Sequence, residues 1–305
     1  KGLKVFVIDA LPEADTLGRP LPPGWDQSAQ TVSLSEIGEA VEKWEEKLGN
    51  RELTVKDGER TLRSFLLRRP DGLTAMYFNE SVSRPVKARV SIRDKAYGSV
   101  TVYAPWSNRA ESYYPKGQEF PLSLDPGEAV FVVLDKNIQS TQPFPVCTGT
   151  QPLCVDWKLS RAQWPETEFT GERLLRAGEE LPNLSGPGYW PSFTGVYRYE
   201  CLFQGEKEDR KCYKLLIPEA SDCVRVKLND TDLGFLAGFP ARADITAALK
   251  DGENRLELQV FTTLVWSRKD GASTHLQIPA TGITEIPVVE CYETGQEADK
   301  EERNK

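Results

Sequence analysis

Three loop segments of the sequence combine aromatic rings with planar polar side chains. Sugars stack the C–H face of their ring on aromatic side chains and bond their hydroxyls to polar groups, so such loops suit carbohydrate binding. The candidate binding residues are Tyr189, Trp190, Phe239, Arg242 and Trp266, and a fourth segment, WSNRAESYYPKG, adds Trp106. The competing interpretation is that Trp190 and Trp266 cap a hydrophobic core, since Trp is usually largely buried.

Acidic residues raise the question of catalysis, because glycoside hydrolysis needs two carboxylates about 5 to 10 Å apart. The chain has 46 of them, so some pairs lie close by number alone. Those near tryptophans in sequence are Asp156, Glu166, Glu168 and Glu200, for which a solvated or structural role is favoured. The single histidine, His275, lies in the strand-like segment THLQIP without a nucleophile-elbow pattern nearby, which also favours a structural role. The sequence predicts no catalytic residue.

Six cysteines bear on disulfide and metal chemistry. None has C-x-x-C spacing, and with one histidine a zinc site is disfavoured. Cys147 and Cys154 flank a short loop and are the best candidates for a disulfide, which would indicate an exported protein. Cys201 and Cys212 flank a charged turn and form an alternative pair. The favoured interpretation is that the remaining thiols are free and buried, namely Cys201, Cys223 and Cys291.

Charge limits the classes of partner. The net charge of −8 and the absence of a basic stripe exclude nucleic acid as an expected partner. No apolar run is long enough to cross a membrane, and we expect no membrane partner, although localisation stays open. Structural calcium on Asp230, Asp232 and Asp244 is an alternative, but their spacing lacks the alternating ligand pattern of a specific site. We therefore expect neither cofactor nor metal.

The elements that position these residues are mainly strands. The segment 223–228 alternates apolar with charged residues, which predicts an antiparallel strand with one buried face, and 229–233 has the composition of a hairpin loop. Asp244 is placed as the N-cap of a short helix. Leu256, Leu258 and Val260 then share one face of a closing strand.

Earlier segments predict a second set of strands and one helix. Alternation at Val100 and Val102 and the apolar run 130–134 predict a β-sandwich over about 62–135. The segment 33–50 has apolar residues at helical spacing, starting at Ser33 or Ser35 and stopping at Gly49. Before it, 5–8 predicts a buried parallel strand, and another strand is expected at 53–55.

The order YRY, VRVKLNDTDLG, DIT and LKDGENRLELQV resembles the sugar-binding β-sandwich of glycoside hydrolase family 2 and the C-terminal jelly roll of rhamnosidase-like enzymes related to family 106. The matching residues are Gly195, Tyr197, Tyr199, Val224, Val226, Asn229, Leu233, Gly234, Asp244, Ile245, Thr246, Gly252, Asn254, Leu256 and Val260. Asp230 departs from the usual Gly, and Asp tolerates the left-handed backbone region that this turn requires. The segments LRSFLLRRPDGLTAMYFNES and FPLSLDPGEAVFVVLDK extend the resemblance to roughly two thirds of the chain.

The resemblance implies a mainly β protein with two antiparallel sandwiches, the second a galactose-binding-like jelly roll. The expected organisation is the end of an α/β unit at 1–60, a sandwich at 61–140, an irregular linker at 141–185, the jelly roll at 186–292 and a disordered tail at 293–305. The chain begins at Lys1 without Met, so we expect a fragment boundary there. In such families the catalytic barrel precedes these domains.

The resemblance therefore implies a non-catalytic accessory region that supports an upstream catalytic domain of the same polypeptide and contacts glycan secondarily. An independent carbohydrate-binding module and a free-standing glycosidase are the alternatives. The WSNRAESYYPKG segment serves either glycan contact or contact with the catalytic domain.

Overall fold

The computed structural model describes residues 5–22, 24, 29–48, 52–58, 60–166, 168–268 and 280–293. Within these ranges the chain is mainly β, and two antiparallel sandwiches follow a short α/β segment, as predicted. The region around His275 and all but the first residue of the expected tail at 293–305 lie outside the described residues. Across the part of the chain that is described, no helix has the length and apolar character needed to span a membrane.

The α/β segment pairs strands β1 (Val5–Ile8) and β2 (Ala29–Val32) in parallel and continues into helix α1 (Ile37–Leu48). The parallel pairing agrees with the prediction. However, β1 is half-buried rather than buried, because a single strand neighbours it within the described ranges. Ser33 donates a 2.7 Å hydrogen bond to Glu36 just before the helix, which orders the entering chain.

The first sandwich packs a five-stranded sheet against a three-stranded sheet. The larger sheet has the order β4 (Leu62–Arg69), β5 (Gly72–Asn79), β10 (Ala129–Asp135), β7 (Val100–Ala104), β8 (Arg109–Tyr113). The smaller has the order β3 (Leu53–Lys56), β6 (Val86–Ile92), β9 (Glu119–Leu124). Every second side chain of β5, β6, β9 and β10 is buried, so alternation alone builds one continuous core between the sheets.

The position of β3 corrects one prediction. The segment 53–55 is predicted to belong to the α/β unit, whereas β3 pairs antiparallel with β6 in the first sandwich. Leu53 and Val55 pack against the core of this sandwich. A short alternating strand carries no signal of which sheet it joins, and this strand is buried by β6 rather than by α1.

The second sandwich packs a six-stranded sheet against a four-stranded sheet. The larger has the order β13 (Thr170–Leu175), β12 (Trp157–Ala162), β14 (Val196–Gly205), β19 (Gly252–Phe261), β16 (Cys223–Leu228), β17 (Thr231–Leu236). The smaller has the order β11 (Val146–Pro152), β20 (Val288–Glu293), β15 (Lys211–Ile217), β18 (Ala241–Asp244). Buried aromatic and aliphatic side chains from both sheets form its core, among them Tyr197, Tyr199, Leu215, Val224 and Leu258.

The segment 141–185 is not the irregular linker that the sequence analysis expects, because it supplies β11, β12 and β13 to this sandwich. The sequences of these three strands lack the regular alternation by which a strand is recognised. Every residue of β11 is exposed, and only Leu175 of β13 is buried, so neither strand alternates in hydrophobicity. On β12 the face that holds Trp157 and Leu159 continues with Arg161, which breaks the apolar pattern. The boundaries expected for independently folding domains stay predictions.

Two local features refine the predicted module. The β16–β17 hairpin turns on Asn229 and Asp230 alone, with φ of 49° and 67°, so its loop is shorter than the predicted 229–233. Both values lie in the left-handed region that Asn and Asp tolerate. Asp244 accepts a 3.0 Å hydrogen bond from the Thr246 amide, but a single turn follows rather than the predicted helix.

Candidate functional site

The candidate binding residues fall into two separate groups. Trp106, Phe239 and Arg242 lie where the two sandwiches meet, a contact region that we call the seam. Tyr189 and Trp190 lie in the loop before β14. Trp266 ends a 3-10 turn, Leu264–Trp266, and its side chain is outside the described part of the structure. The predicted residues therefore do not form one site.

Arg242 is the centre of the seam and joins the two sandwiches. Its Nε donates to Glu290 at 2.8 Å and its Nη2 donates to the same carboxylate at 3.2 Å, while Nη1 donates to Asp125 of the first sandwich. Burial alone lowers the pKa of Arg242, but the bond to Glu290 and the charge of Asp125 outweigh it and raise the pKa. Because its Nε, Nη1 and Nη2 all donate to carboxylates, this guanidinium is not available to sugar hydroxyls.

A second ion pair crosses the seam nearby. Arg109 of β8 donates to Asp244 of β18 at 2.9 Å. Burial works to raise the pKa of Asp244, but the hydrogen bonds from Arg109 and Thr246 together outweigh it and hold the pKa below its ordinary value. Glu128 lies close to the charges of Asp125 and Arg242, and burial raises its pKa. The seam is thus a charged contact whose groups satisfy one another.

Trp106 is the exposed ring of the seam. Its side chain is 70 % exposed and its ring edge lies beside Gly238, where an added Cβ would be 4.0 Å away. Phe239 follows Gly238 and packs partly against the core of the second sandwich. Trp106 therefore presents an accessible ring face for stacking at the seam, whereas the Phe239 ring is partly buried.

Tyr189 and Trp190 belong to a different group, the arginine–aromatic cluster, which we define as Arg161, Arg173, Tyr189, Trp190 and Phe193. Trp190 is 6 % exposed and stacks on Tyr197 with ring centroids 5.6 Å apart. The Arg161 guanidinium lies 5.4 Å from the Trp190 ring and 4.8 Å from the Phe193 ring. Arg173 lies 5.1 Å from the Tyr189 ring and 5.4 Å from the Trp190 ring. Trp190 thus packs as a core residue between two cations.

Strand register explains how the two arginines reach this position. Arg161 pairs with Tyr197, and Arg173 pairs with Leu159, so both arginines share the inner face of the six-stranded sheet with Leu159 and Leu175. Neither arginine is predicted from the sequence, although the residue pattern of β12 contains one indication. An arginine that occupies the next inner position after Trp157 and Leu159 interrupts an apolar face, and such a break indicates either an edge or a functional group.

The outer faces of the two large sheets differ in kind. On the first sandwich, direct cross-strand partners form an apolar row, which we define as Phe65, Met76, Phe131 and Tyr103. Phe65 and its strand neighbour Leu67 are 68 % and 63 % exposed. On the second sandwich the corresponding partners form a charged row, defined as Lys158, Glu200, Glu257, Lys227 and Asp232.

The acidic residues considered for catalysis are engaged elsewhere or exposed. Asp156 accepts 2.8 Å bonds from the Ala177 amide and from Arg176, which lower its pKa. Glu200 pairs with Arg255 at 2.8 Å and with Arg198 at 3.2 Å. Glu166 and Glu168 lie exposed in the β12–β13 loop.

The acids considered for calcium also have other partners. Asp232 pairs with Arg225, Asp244 pairs with Arg109, and Asp230 forms the hairpin turn. Within the described ranges no group of three or more His, Cys, Asp or Glu side chains is arranged to hold a metal ion. The calcium alternative therefore has no arrangement here that favours it.

All six cysteines are free thiols. The disulfide expected between Cys147 and Cys154 is wrong, because both thiols are free and the extended strand from Cys147 to Pro152 already spans about 16 Å. Cys201 is buried as expected, and burial raises its pKa to about 12. Cys223 and Cys291 are half-buried.

Comparison with solved structures places this fold. The chain is similar to a rhamnosidase from Novosphingobium sp. PP1Y, with a TM-score of 0.59 and 19 % identity over 88 % of this chain and 28 % of that chain. The likeness confirms the predicted fold resemblance to rhamnosidase-like enzymes, and at this identity it establishes the fold alone. The chain spans little more than a quarter of the rhamnosidase.

More distant structures are β-glucuronidases. One from an uncultured Clostridium sp. has a TM-score of 0.36 and 19 % identity over 49 % of this chain and 30 % of its own. One from Faecalibacterium prausnitzii has a TM-score of 0.36 and 17 % identity over 49 % and 32 %. No protein-family model matches the chain, and no curated protein matches it by sequence.

Proposed function

We propose that this chain is a non-catalytic accessory region of a glycoside hydrolase and that it packs against the catalytic domain of the same polypeptide. The observation that carries the proposal is the apolar row on the outside of the first sandwich. A sheet with one face on its core normally turns polar side chains outward. Here the outward positions of four adjacent strands hold Phe65, Met76, Phe131 and Tyr103.

The energetics favour covering this row. Burial of a side chain the size of Phe or Met stabilises a contact by about 1.5 to 3 kcal/mol. Tyr103 and Phe131 already lie with ring centroids 6.2 Å apart, so they present one joint surface. Phe65 is exposed and the other three side chains of the row are half-buried, and contiguous apolar patches at a protein surface mark interaction sites. The fold likeness to part of a longer rhamnosidase supports a domain of the same polypeptide as the occupant.

A cavity of about 170 Å³ at the end of β4 supplies a polar contact on the same sandwich. In it Arg68 pairs with Glu52 at 3.3 Å and Lys136 pairs with Asp94 at 3.0 Å. Arg69 Nη1 lies 4.0 Å from Asp71, but its Nε and Nη2 are buried without a hydrogen-bond partner among the described residues. Such unpaired donors cost free energy, and an acidic side chain of the packing domain would satisfy them.

The test uses two proteins, residues 1–305 and the rest of the polypeptide that the same reading frame encodes. We expect them to co-elute in size-exclusion chromatography with light scattering. The double variant Phe65→Ser, Phe131→Thr should weaken the association at least tenfold. Leu202→Ser is the matched control, since Leu202 is an exposed apolar residue on the outer face of the second sandwich.

Two results would overturn the proposal. One is a reading frame without a hydrolase domain, and the other is co-elution that the double variant leaves unchanged. Thermal unfolding of each variant alone checks that it is folded, since Phe65 is exposed but Phe131 is half-buried.

The second candidate function is an independent carbohydrate-binding module, and the observation that favours it is the exposed Trp106 ring at the seam. Stacking on one exposed indole supports weak glycan contact. Calorimetric titration of the isolated chain with oligosaccharides tests it. Saturable heat that Trp106→Ala abolishes would favour the module over the accessory role.

A further inference from the structure

The arginine–aromatic cluster contains more hydrogen-bond donors than the described residues supply acceptors for. Arg161 and Arg173 sit on the inner face of the six-stranded sheet, where the neighbouring inner residues Leu159 and Leu175 are apolar. Among the described residues, Arg161 has ring contacts only, and Arg173 adds one hydrogen bond, to the Gly188 carbonyl. No carboxylate of the described residues forms an ion pair with either one.

The other arginines of this sheet show that the arrangement is unusual. Arg198 stacks on the Phe169 ring at 4.1 Å and also pairs with Glu200 at 3.2 Å. Arg225 lies over Phe235 and pairs with Asp232. Stacking on a ring stabilises a cation but occupies none of the five guanidinium N–H groups. In the cluster both guanidinium groups lie 5.4 Å from the Trp190 ring, and neither has a carboxylate partner among the described residues.

The indole N–H of Trp190 borders the same space as the Arg161 side chain. A Cβ placed on Gly171 would lie 3.7 Å from Arg161 Nε and 3.6 Å from Trp190 Nε1, so the glycine leaves open the space that both N–H groups border. Tyr197 is fully buried and pairs across the strands with Arg161, and its hydroxyl has no hydrogen-bond partner in the described ranges. An acceptor in this space would satisfy the Arg161 and Trp190 N–H groups, for which the described residues supply no acceptor.

We propose that the arginine–aromatic cluster is a binding site for a compact oxyanion, such as the carboxylate of an acidic sugar. One oxygen of the anion accepts from Arg161, a second accepts from Trp190 Nε1, and Arg173 supplies the second positive charge. The chemistry selects against neutral sugars, because a hydroxyl cannot compensate two cations. The site is independent of the apolar row, which lies on the other sandwich.

The probes are sodium galacturonate, galactose and inorganic sulfate, titrated into the whole chain and followed by calorimetry and tryptophan fluorescence. Galactose differs from galacturonate by the carboxylate, and sulfate is the oxyanion without a sugar. We expect galacturonate to bind and galactose not to bind. Binding of sulfate with similar affinity would support the site with the bare anion as its ligand.

Three variants locate the binding. Arg161→Gln and, at an exposed position, Arg173→Gln should each weaken galacturonate binding at least tenfold. Arg198→Gln is the matched control, because Arg198 also stacks on a ring but has a carboxylate partner, and it should change binding less than twofold. The exposed position of Arg173 keeps the test valid should Arg161→Gln fail to fold.

Absence of binding by both anions would overturn the proposal. So would binding that persists in Arg161→Gln and Arg173→Gln. Failure of this site would leave the association test of the apolar row unaffected, since the two experiments change different sandwiches.

Discussion

The two sandwiches of this chain share an architecture but present opposite outer faces. Across the larger sheet of the first, side chains in direct register form the apolar row. Across the larger sheet of the second, the equivalent line is the charged row, whose Lys227 pairs with Glu257 at 3.2 Å. The side chains of the charged row form ion pairs and are otherwise solvated by water. The apolar row gains free energy only when another surface covers it.

The inner faces differ in the opposite sense. The first sandwich has an apolar interior built by regular alternation. The second carries Arg161 and Arg173 at the end of its inner face. A polar group on an inner face, or an apolar group on an outer face, conflicts with the pattern that the fold requires. Such conflicts concentrate at functional positions. Each sandwich therefore has one unsatisfied face, and the two faces suit different partners.

The largest expected effect concerns the seam that holds these two sandwiches together. Arg242→Met leaves Asp125 and the 6 % exposed Glu290 without their cation. Loss of one partner from a buried charge pair costs about 3 to 5 kcal/mol. Urea unfolding should show that loss and two separate transitions, one for each sandwich.

The matched control is Arg255→Met. Arg255 forms a 2.8 Å ion pair with Glu200, but its side chain is 55 % exposed. Exposed pairs contribute about 1 kcal/mol or less, so the change should be small. Equal losses in the two variants would mean that Arg242 does not couple the sandwiches.

A smaller effect sharpens the contrast between the outer faces. Lys227→Met removes one cation from the charged row, and we expect the free energy of unfolding to change by less than about 1 kcal/mol. The difference from the parent chain should shrink further in high salt, because the pair is partly exposed. A loss above 2 kcal/mol in urea unfolding would show that the charged row is structural rather than a solvated surface.

Sequence alone predicts most of the strands and little of the sites. Strands with regular alternation, such as β5, β10, β16 and β19, are recognisable because one face of each is buried. β11 and β13 are not, since an exposed edge strand needs no apolar face.

The sites depend on contacts between distant residues, which local patterns do not encode. By residue type Arg242 is predicted as a sugar ligand in a loop, yet it lies on β18 and its partner Asp125 is 117 positions away. Tyr189 and Trp190 are recognised by residue type, but Arg161 and Arg173 join them only through strand register. The apolar row likewise exists only once four separate strands are aligned.

Met76 allows the most direct test of the claim that the apolar row is an interface. It is the single methionine of the chain and lies within the row, so its oxidation by dilute peroxide reports access to this surface alone. Mass spectrometry of the Met76 peptide compares residues 1–305 with the longer polypeptide that the proposed function requires. We predict that Met76 oxidises readily in the isolated chain and at least tenfold more slowly in the longer polypeptide. Equal rates in the two proteins would contradict the account.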